Sequence, residues 1–174
     1  MKSIGAHDVL SPRARSLQTQ MPMTTTIDAD ASWREHLIET SDGIRRVIED
    51  TRRISVLGIK MEADRPAYYV PEYAQRAGYD IVPVPVFYPD AKEILGVPVH
   101  RTVSAIPGDV DMVNVFRRPA DIPPHLDDII AKRPKSVWFQ LRIRNDAAAE
   151  KLARAGIDVV QDRCLLVELQ RLGK

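Results

Sequence analysis

Lysine and arginine recur in one kind of place in this sequence, just after an apolar run. Gly58-Ile59-Lys60 closes the run that begins at Ile54, and Arg65 stands a few residues further on. Arg117 and Arg118 follow the run 110–116; Gln140, Arg142 and Arg144 follow 136–140; Arg163 follows 157–160. Guanidinium and ammonium groups grip phosphate or carboxylate oxygens by charge-assisted hydrogen bonds, which is the chemistry of holding an anion rather than of breaking a bond. Taken singly, each arginine is most simply neutralised by a neighbouring carboxylate, with Asp64, Asp146 and Asp162 at hand, and such surface pairs carry little energy. Taken as a set, they read as an anion site.

The set stands out because the 174-residue chain has a formal net charge of only +1. No global field recruits nucleic acid or an anionic membrane, so charge recognition must be local. The composition, 44% hydrophobic and 28% charged, is that of an ordinary soluble domain, and no apolar run is long enough to span a bilayer. Cys164 is the only cysteine, which excludes an internal disulfide and suits the cytoplasm. A following helix and Arg163 would both lower its pKa, while burial would leave it an inert thiol. The histidines His7, His36, His100 and His125 have no nucleophile or metal partner at useful spacing. No catalytic or metal-binding residue is therefore assigned, and Trp138 and Phe139 read as core.

The elements that carry the cations follow from periodicity. Residues 1–30 are polar and aperiodic, a tail with a loose likeness to a transit peptide, and Met21 or Met23 is an alternative start. The domain occupies 31–174. A helix with Leu37, Ile38, Ile44, Val47 and Ile48 on its stripe is expected to end near Thr51, capped by Ser41 or Asp42. Strands are expected at 54–57, 81–84, 110–115, 137–140 and 157–160. Pro71 has no N–H, which places it in the first turn of a helix starting between 67 and 70 and stopping at Gly78. Prolines in the second strand predict that it ends early or lies near a sheet edge. A short excursion over 97–106 precedes the third strand. Further helices are expected over 124–132, with Asp127 and Asp128 at its start, over 145–155, and over 164–172. Strands alternating with helices imply right-handed crossovers and a mainly parallel sheet. The predicted fold is α/β, a Rossmann-like three-layer sandwich of five or six strands.

In such a sheet ligands bind beyond the carboxyl ends of the strands, and four of the five predicted strands deliver a cation there. Several of these cations precede a helix, where the dipole disfavours positive charge; a bound anion reverses the sign. Gly58 is not part of a G-x-G-x-x-G fingerprint, and Pro83-Val-Pro85 stands where a dinucleotide site places a ribose-binding acid. Both argue against an ordinary NAD site.

Val56-Leu-Gly-Ile59 with Arg65-Pro66, Gly78-Tyr-Asp-Ile-Val-Pro-Val84, Glu93-Ile-Leu-Gly96, Val113-Asn-Val-Phe-Arg-Arg-Pro119, Val137-Trp-Phe-Gln140, Ile143-Arg-Asn145 and Val160-Gln-Asp-Arg-Cys164 resemble, in order, the stand-alone CoA-binding domain family. The same fold forms the CoA-binding domain of the succinyl-CoA synthetase α subunit. The resemblance implies coenzyme A or an acyl-CoA as cofactor. It implies that the nucleotide is surrounded by Gly58, Ile59 and Lys60, by Pro83, Val84 and Pro85, and by Val115, Phe116, Arg117 and Arg118, with Arg65 and Gln140 at the same edge. The sequence departs from the pattern at Lys60, usually serine, at Pro85, usually asparagine, and at Arg142, often glycine. Arg142 either clasps a phosphate or fills space the cofactor needs. Neither the synthetase's second domain with its phosphorylated histidine nor an ATP-grasp partner is recognisable, so acyl-CoA synthesis by this chain alone is not expected. The expected function is non-catalytic binding of CoA or acyl-CoA. The alternatives are an NAD(P)-dependent enzyme or subunit on the same edge, and a module whose arginines meet an acidic protein partner.

Overall fold

The computed structural model describes residues 31–174; the tail, His7 and the alternative starts lie outside the described residues. Five short runs, apolar at their centres, pair in parallel: β1 (Arg53–Leu57), β2 (Asp80–Val84), β5 (Met112–Val115), β6 (Ser136–Phe139) and β7 (Asp158–Val160). A two-stranded hairpin, β3 (Glu93–Ile94) and β4 (Val97–Pro98), begins before the expected excursion and overlaps only its start; residues 101–106 are turns and bends. The sheet order is β2-β1-β5-β6-β7, with Ile54 opposite both Ile81 and Met112, and Val115 opposite both Leu57 and Phe139. Leu37 adds one parallel bridge beside Val159, the vestige of a sixth strand. The order reverses direction between β1 and β5, which makes the gap beyond their carboxyl ends the topological switch point.

Alternate residues of each strand feed two cores. Leu57, Val113, Val115, Val137 and Phe139 pack with α3 (Leu126–Lys132) and α4 (Asp146–Arg154). Ile54, Val56, Met112 and Trp138 pack with α1 (Ser41–Glu49), α2 (Pro66–Arg76) and α5 (Leu165–Arg171). This is the three-layer Rossmann-like sandwich predicted. β2 is an edge strand, as its prolines require, and its outer side is partly covered, since Pro83 O accepts from the His100 N–H at 2.9 Å.

Three local expectations are corrected. α1 is shorter than expected: Leu37 and Ile38 precede it, and Thr40, not Ser41 or Asp42, caps it, accepting from the Gly43 N–H at 3.1 Å. The helix after β1 begins at Pro66, one residue before the expected window, and Pro71 lies inside it rather than in its first turn. Pro66 fills the N1 position that suits a proline. The carbonyl that Pro71 leaves without a helical donor, that of Ala67, accepts instead from the Lys60 N–H at 3.1 Å. The proline defect thus ties α2 to the turn after β1. Finally, Arg117 and Arg118 precede two 3₁₀ turns, Pro119–Asp121 and Pro123–His125. No α-helix dipole opposes their charge.

Candidate functional site

The turn after β1 is built around Gly58. Its φ of +85° is in the left-handed region, and a Cβ there would lie 2.5 Å from Phe116 O and 3.1 Å from Arg117 Cδ. Conformation and close approach both demand glycine. The turn is locked on both sides, with Gly58 N–H donating to Val84 O and Phe116 N–H to Leu57 O, each at 2.9 Å. Ile59 buries its side chain completely, so this residue presents backbone only.

From that turn a cleft of about 530 Å³ runs across the ends of β1, β5 and β6. Lys60, Arg65, Arg117, Arg118 and Arg142 line it, with no aspartate or glutamate in the lining, over a floor that includes Pro66, Val70, Phe116, Leu141 and Ile143. The neutralisation considered from the sequence is partial. Arg65 Nε lies 3.9 Å from Asp64, and Arg144 Nε 2.9 Å from Asp146. Arg117 and Arg118 share one carboxylate, Asp121, at 3.7 and 2.7 Å. The Arg118 guanidinium holds the Asp121 carboxyl below its ordinary value, and Asp121 raises Arg118 in turn. Among the described residues Asp162 pairs with no arginine side chain; its Oδ1 accepts from the Arg142 N–H at 2.6 Å. Among the described residues Lys60, Arg142 and Arg163 have no ion pair, and the buried Arg117 Nε has no hydrogen-bond acceptor.

A second cleft of about 390 Å³ opens toward β2, lined by Leu57, Pro85, Val86, Phe87, Pro89, Arg101, Thr102, Pro124, His125 and Asp128. Phe87 stands near the boundary, with Lys60 Nζ 3.8 Å and Arg117 Cζ 5.6 Å from its ring centre. Two cations on one half-exposed ring is a sparing arrangement, since each interaction is worth about 0.5–2 kcal/mol and the charges repel. The loop carrying Phe87 is clasped from below: Arg101 donates to the carbonyls of Tyr88, Pro89 and Ala91 at 3.1, 2.8 and 2.6 Å. From above, Tyr88 Oη donates to Glu62 Oε2 at 2.6 Å. That bond holds the Glu62 carboxyl below its usual range, while burial, and then the same bond, raises the Tyr88 phenol. Burial first, and the Arg117 guanidinium second, push the His125 imidazole below its ordinary value against the opposing pull of Asp128 and Asp121.

Of the residues singled out from sequence, Lys60, Arg65, Phe116, Arg117, Arg118 and Gln140 line the first cleft and Pro85 the second. Gly58 and Ile59 form the turn beside them. Pro83, Val84 and Val115 are buried within their strands, and Val115 reaches the core rather than the edge. Gln140 is 3% exposed; its Nε2 donates to Asn114 Oδ1 at 2.8 Å and its Oε1 accepts from the Leu165 N–H at 3.3 Å. Its side chain positions α5. Trp138 is core, as expected, and its indole N–H also donates to Arg163 O at 2.8 Å, fixing the turn after β7. His36 pairs with Asp158 at 2.7 Å, away from this edge. Tyr69, Leu141, Ile143 and Cys164 line the first cleft and Phe87 and Arg101 the second without having been assigned from sequence.

Residues 52–170 match the CoA binding domain family. The chain belongs to that family. The Bacillus subtilis (strain 168) protein YneT is 32% identical over 124 residues, 71% of this chain and 90% of YneT. A solved structure from Thermus thermophilus is 36% identical with a TM-score of 0.71, covering 77% of this chain and 99% of that one. A protein from Pyrococcus horikoshii OT3 is 31% identical with a TM-score of 0.72, covering 78% and 94% respectively. The family match spans all five sheet strands and both clefts. Among the described residues no helix is long and apolar enough to cross a membrane.

Proposed function

We propose that this CoA binding domain holds coenzyme A or an acyl-CoA across the switch point and carries out no chemistry on it. The observation that carries the reading is the first cleft: five cations and no carboxylate, above an apolar floor, beside a glycine turn that only a backbone without Cβ can make. A ligand that fits must be anionic at one place and apolar further on. CoA is such a molecule, with a diphosphate joined to a long, weakly polar pantetheine arm. The diphosphate belongs beside the turn of Gly58 and Ile59 with Lys60, Arg117 and Arg118, where the cations converge. The nucleotide belongs toward β2, where Pro85, Phe87 and His125 supply flat surfaces and ring nitrogens. The pantetheine belongs toward β6 over Pro66, Val70 and Ile143. The cofactor would supply its thiol, the point at which acyl groups are carried. The chain's own residues bind and orient it; Asp64 and Asp121 pair with the cleft arginines Arg65 and Arg118.

A cytoplasmic role in sensing, storing or presenting CoA follows from binding without turnover. Native mass spectrometry of protein purified without added ligand should reveal a retained CoA species. Isothermal titration should give CoA binding at least about tenfold tighter than NAD, a difference of about 1.4 kcal/mol. Equal or tighter NAD binding would replace this reading with a nicotinamide enzyme. Binding of neither would favour an acidic protein partner for the arginines.

A further inference from the structure

Among the described residues the two clefts have no lining residue in common. Where they meet, Lys60 belongs to the first and Phe87 to the second, with Lys60 Nζ 3.8 Å from the Phe87 ring centre. Arg117, also of the first cleft, approaches the same ring at 5.6 Å. A phenyl face is a weak partner for two cations that line an anion cleft. Phe87 is itself 51% exposed, so the core does not hold it against them.

Its neighbour does. Tyr88 has a φ of +64°, a conformation that a tyrosine keeps only where its surroundings impose it. Its carbonyl accepts from the Ala91 N–H and from Arg101 Nη1, each at 3.1 Å. Its hydroxyl crosses to the turn after β1 and donates to Glu62 Oε2 at 2.6 Å. Neither Tyr88 nor Glu62 lines either cleft. Glu62 is two residues from Lys60, and Tyr88 is next to Phe87. The bond therefore fastens together the two segments whose side chains divide the clefts.

If the cofactor spans both clefts as proposed above, on which this inference rests, its diphosphate must take Lys60 and Arg117 from the ring. Phe87 must then move. We infer that the Glu62–Tyr88 bond is a latch on that movement, an autoinhibitory contact that keeps the clefts apart until a ligand long enough for both joins them. The cost of opening lowers the apparent affinity of a spanning ligand by the fraction of molecules that are open. A ligand confined to one cleft leaves the partition standing and does not meet that cost.

The test is isothermal titration of the whole chain, wild type and Tyr88→Phe, with CoA and with its two halves, 4′-phosphopantetheine and adenosine 3′,5′-bisphosphate. The variant keeps the ring and loses only the hydroxyl. It should bind CoA about three- to tenfold tighter than the wild type, as the loss of one hydrogen bond from the closed form allows, and each half within about twofold. Glu62→Gln leaves a weaker, neutral acceptor and should tighten CoA by less, in the same direction. Both variants should unfold within about 2 °C of the wild type, as an exposed contact implies. Unchanged or weaker CoA binding by Y88F would overturn the inference. So would an equal gain for CoA and both halves, since Tyr88 would then act on the anion and not on the partition. Should neither half bind, the CoA comparison alone decides. Failure of CoA to bind the wild type and both variants would instead bring down the CoA reading beneath it.

Discussion

The two ends of the sheet treat charge in opposite ways. At the amino ends Arg53, Lys135 and Arg46 each meet a carboxylate, and Arg52 donates to the carbonyls of Glu49 and Thr51. Arg53 Nε lies 2.9 Å from Asp80, Lys135 Nζ 2.7 Å from Asp111 and Arg46 Nη2 3.0 Å from Asp158. Asp111 also accepts from the Arg52 and Arg53 N–H groups at 3.0 and 2.9 Å. At the carboxyl ends Arg117 and Arg118 share Asp121, Arg65 is held loosely, and Lys60, Arg142 and Arg163 have no ion pair among the described residues. The contrast is what the proposed anion site rests on: cations that close the structure at one edge, and cations short of carboxylates at the other.

The largest expected effect is at Gly58, where the two roles meet. Gly58→Ala forces a Cβ against Phe116 O from a left-handed backbone. It should cost about 2–4 kcal/mol, with a Tm drop on the order of 10 °C, and should abolish CoA binding by displacing the turn. A variant with wild-type Tm and affinity would show that the close approach does not matter.

A crossed pair of substitutions tests the comparison itself. Asp111→Ala strips partners from Lys135 and from two backbone N–H groups and should cost about 2–3 kcal/mol, with CoA affinity unchanged. Arg118→Ala removes a mostly exposed side chain; it should move the Tm by no more than about 2 °C, as surface pairs do, and weaken CoA about tenfold or more. Calorimetric unfolding and titration of both variants give four values, and any exchange between columns breaks the division of the sheet into a structural and a binding edge. The acid limb adds a check. Burial raises the Asp111 carboxyl, but the Lys135 ammonium and the Arg52 and Arg53 N–H groups outweigh it, so its pKa lies below the ordinary 3.8. The unfolded chain therefore takes up the proton first. The stabilisation is whole above 3.8 and is lost as pH falls through the folded value, a loss that Asp111→Ala should lack.

A smaller effect is expected at His125. Its folded pKa is depressed below the ordinary 6.5, so its neutral form is favoured by folding; stability is whole above that value and declines as pH falls below it. An anion beside Arg117 offsets the second cause of the depression. CoA should therefore raise the His125 pKa in an NMR titration of its ring, and a value unmoved by saturating CoA would place the anion away from Arg117.

Much of this was legible in the sequence, and what was not has identifiable causes. The five strands follow from apolar runs that few other structures can bury, and the edge position of β2 follows from its prolines. The cationic edge was legible because strand ends in a parallel sheet converge. Pro71 misled because the carbonyl it frees is satisfied by Lys60, a partner outside the helix that no helical rule reveals. The sharing of Asp121 was hidden because Arg-Arg-Pro-Ala-Asp-Ile-Pro-Pro reads as broken by proline, whereas its 3₁₀ turns bring residues three and four apart together. Gln140 looked like an edge residue by position, but its amide turns inward to Asn114 and Leu165. Phe87 and Arg101 gave no periodic signal; only the folded loop sets Phe87 against Lys60 and Arg101 against the carbonyls of Tyr88, Pro89 and Ala91.

The most direct test of the central claim is a map of backbone amide shifts in the ¹⁵N-labelled protein titrated with CoA. The account predicts the largest changes at Gly58 to Lys60, at Phe116 to Arg118 and at Leu141 to Ile143, with Arg53, Asp80, Asp111 and Lys135 unmoved. Changes centred on that amino edge, or none at saturating CoA, would contradict it.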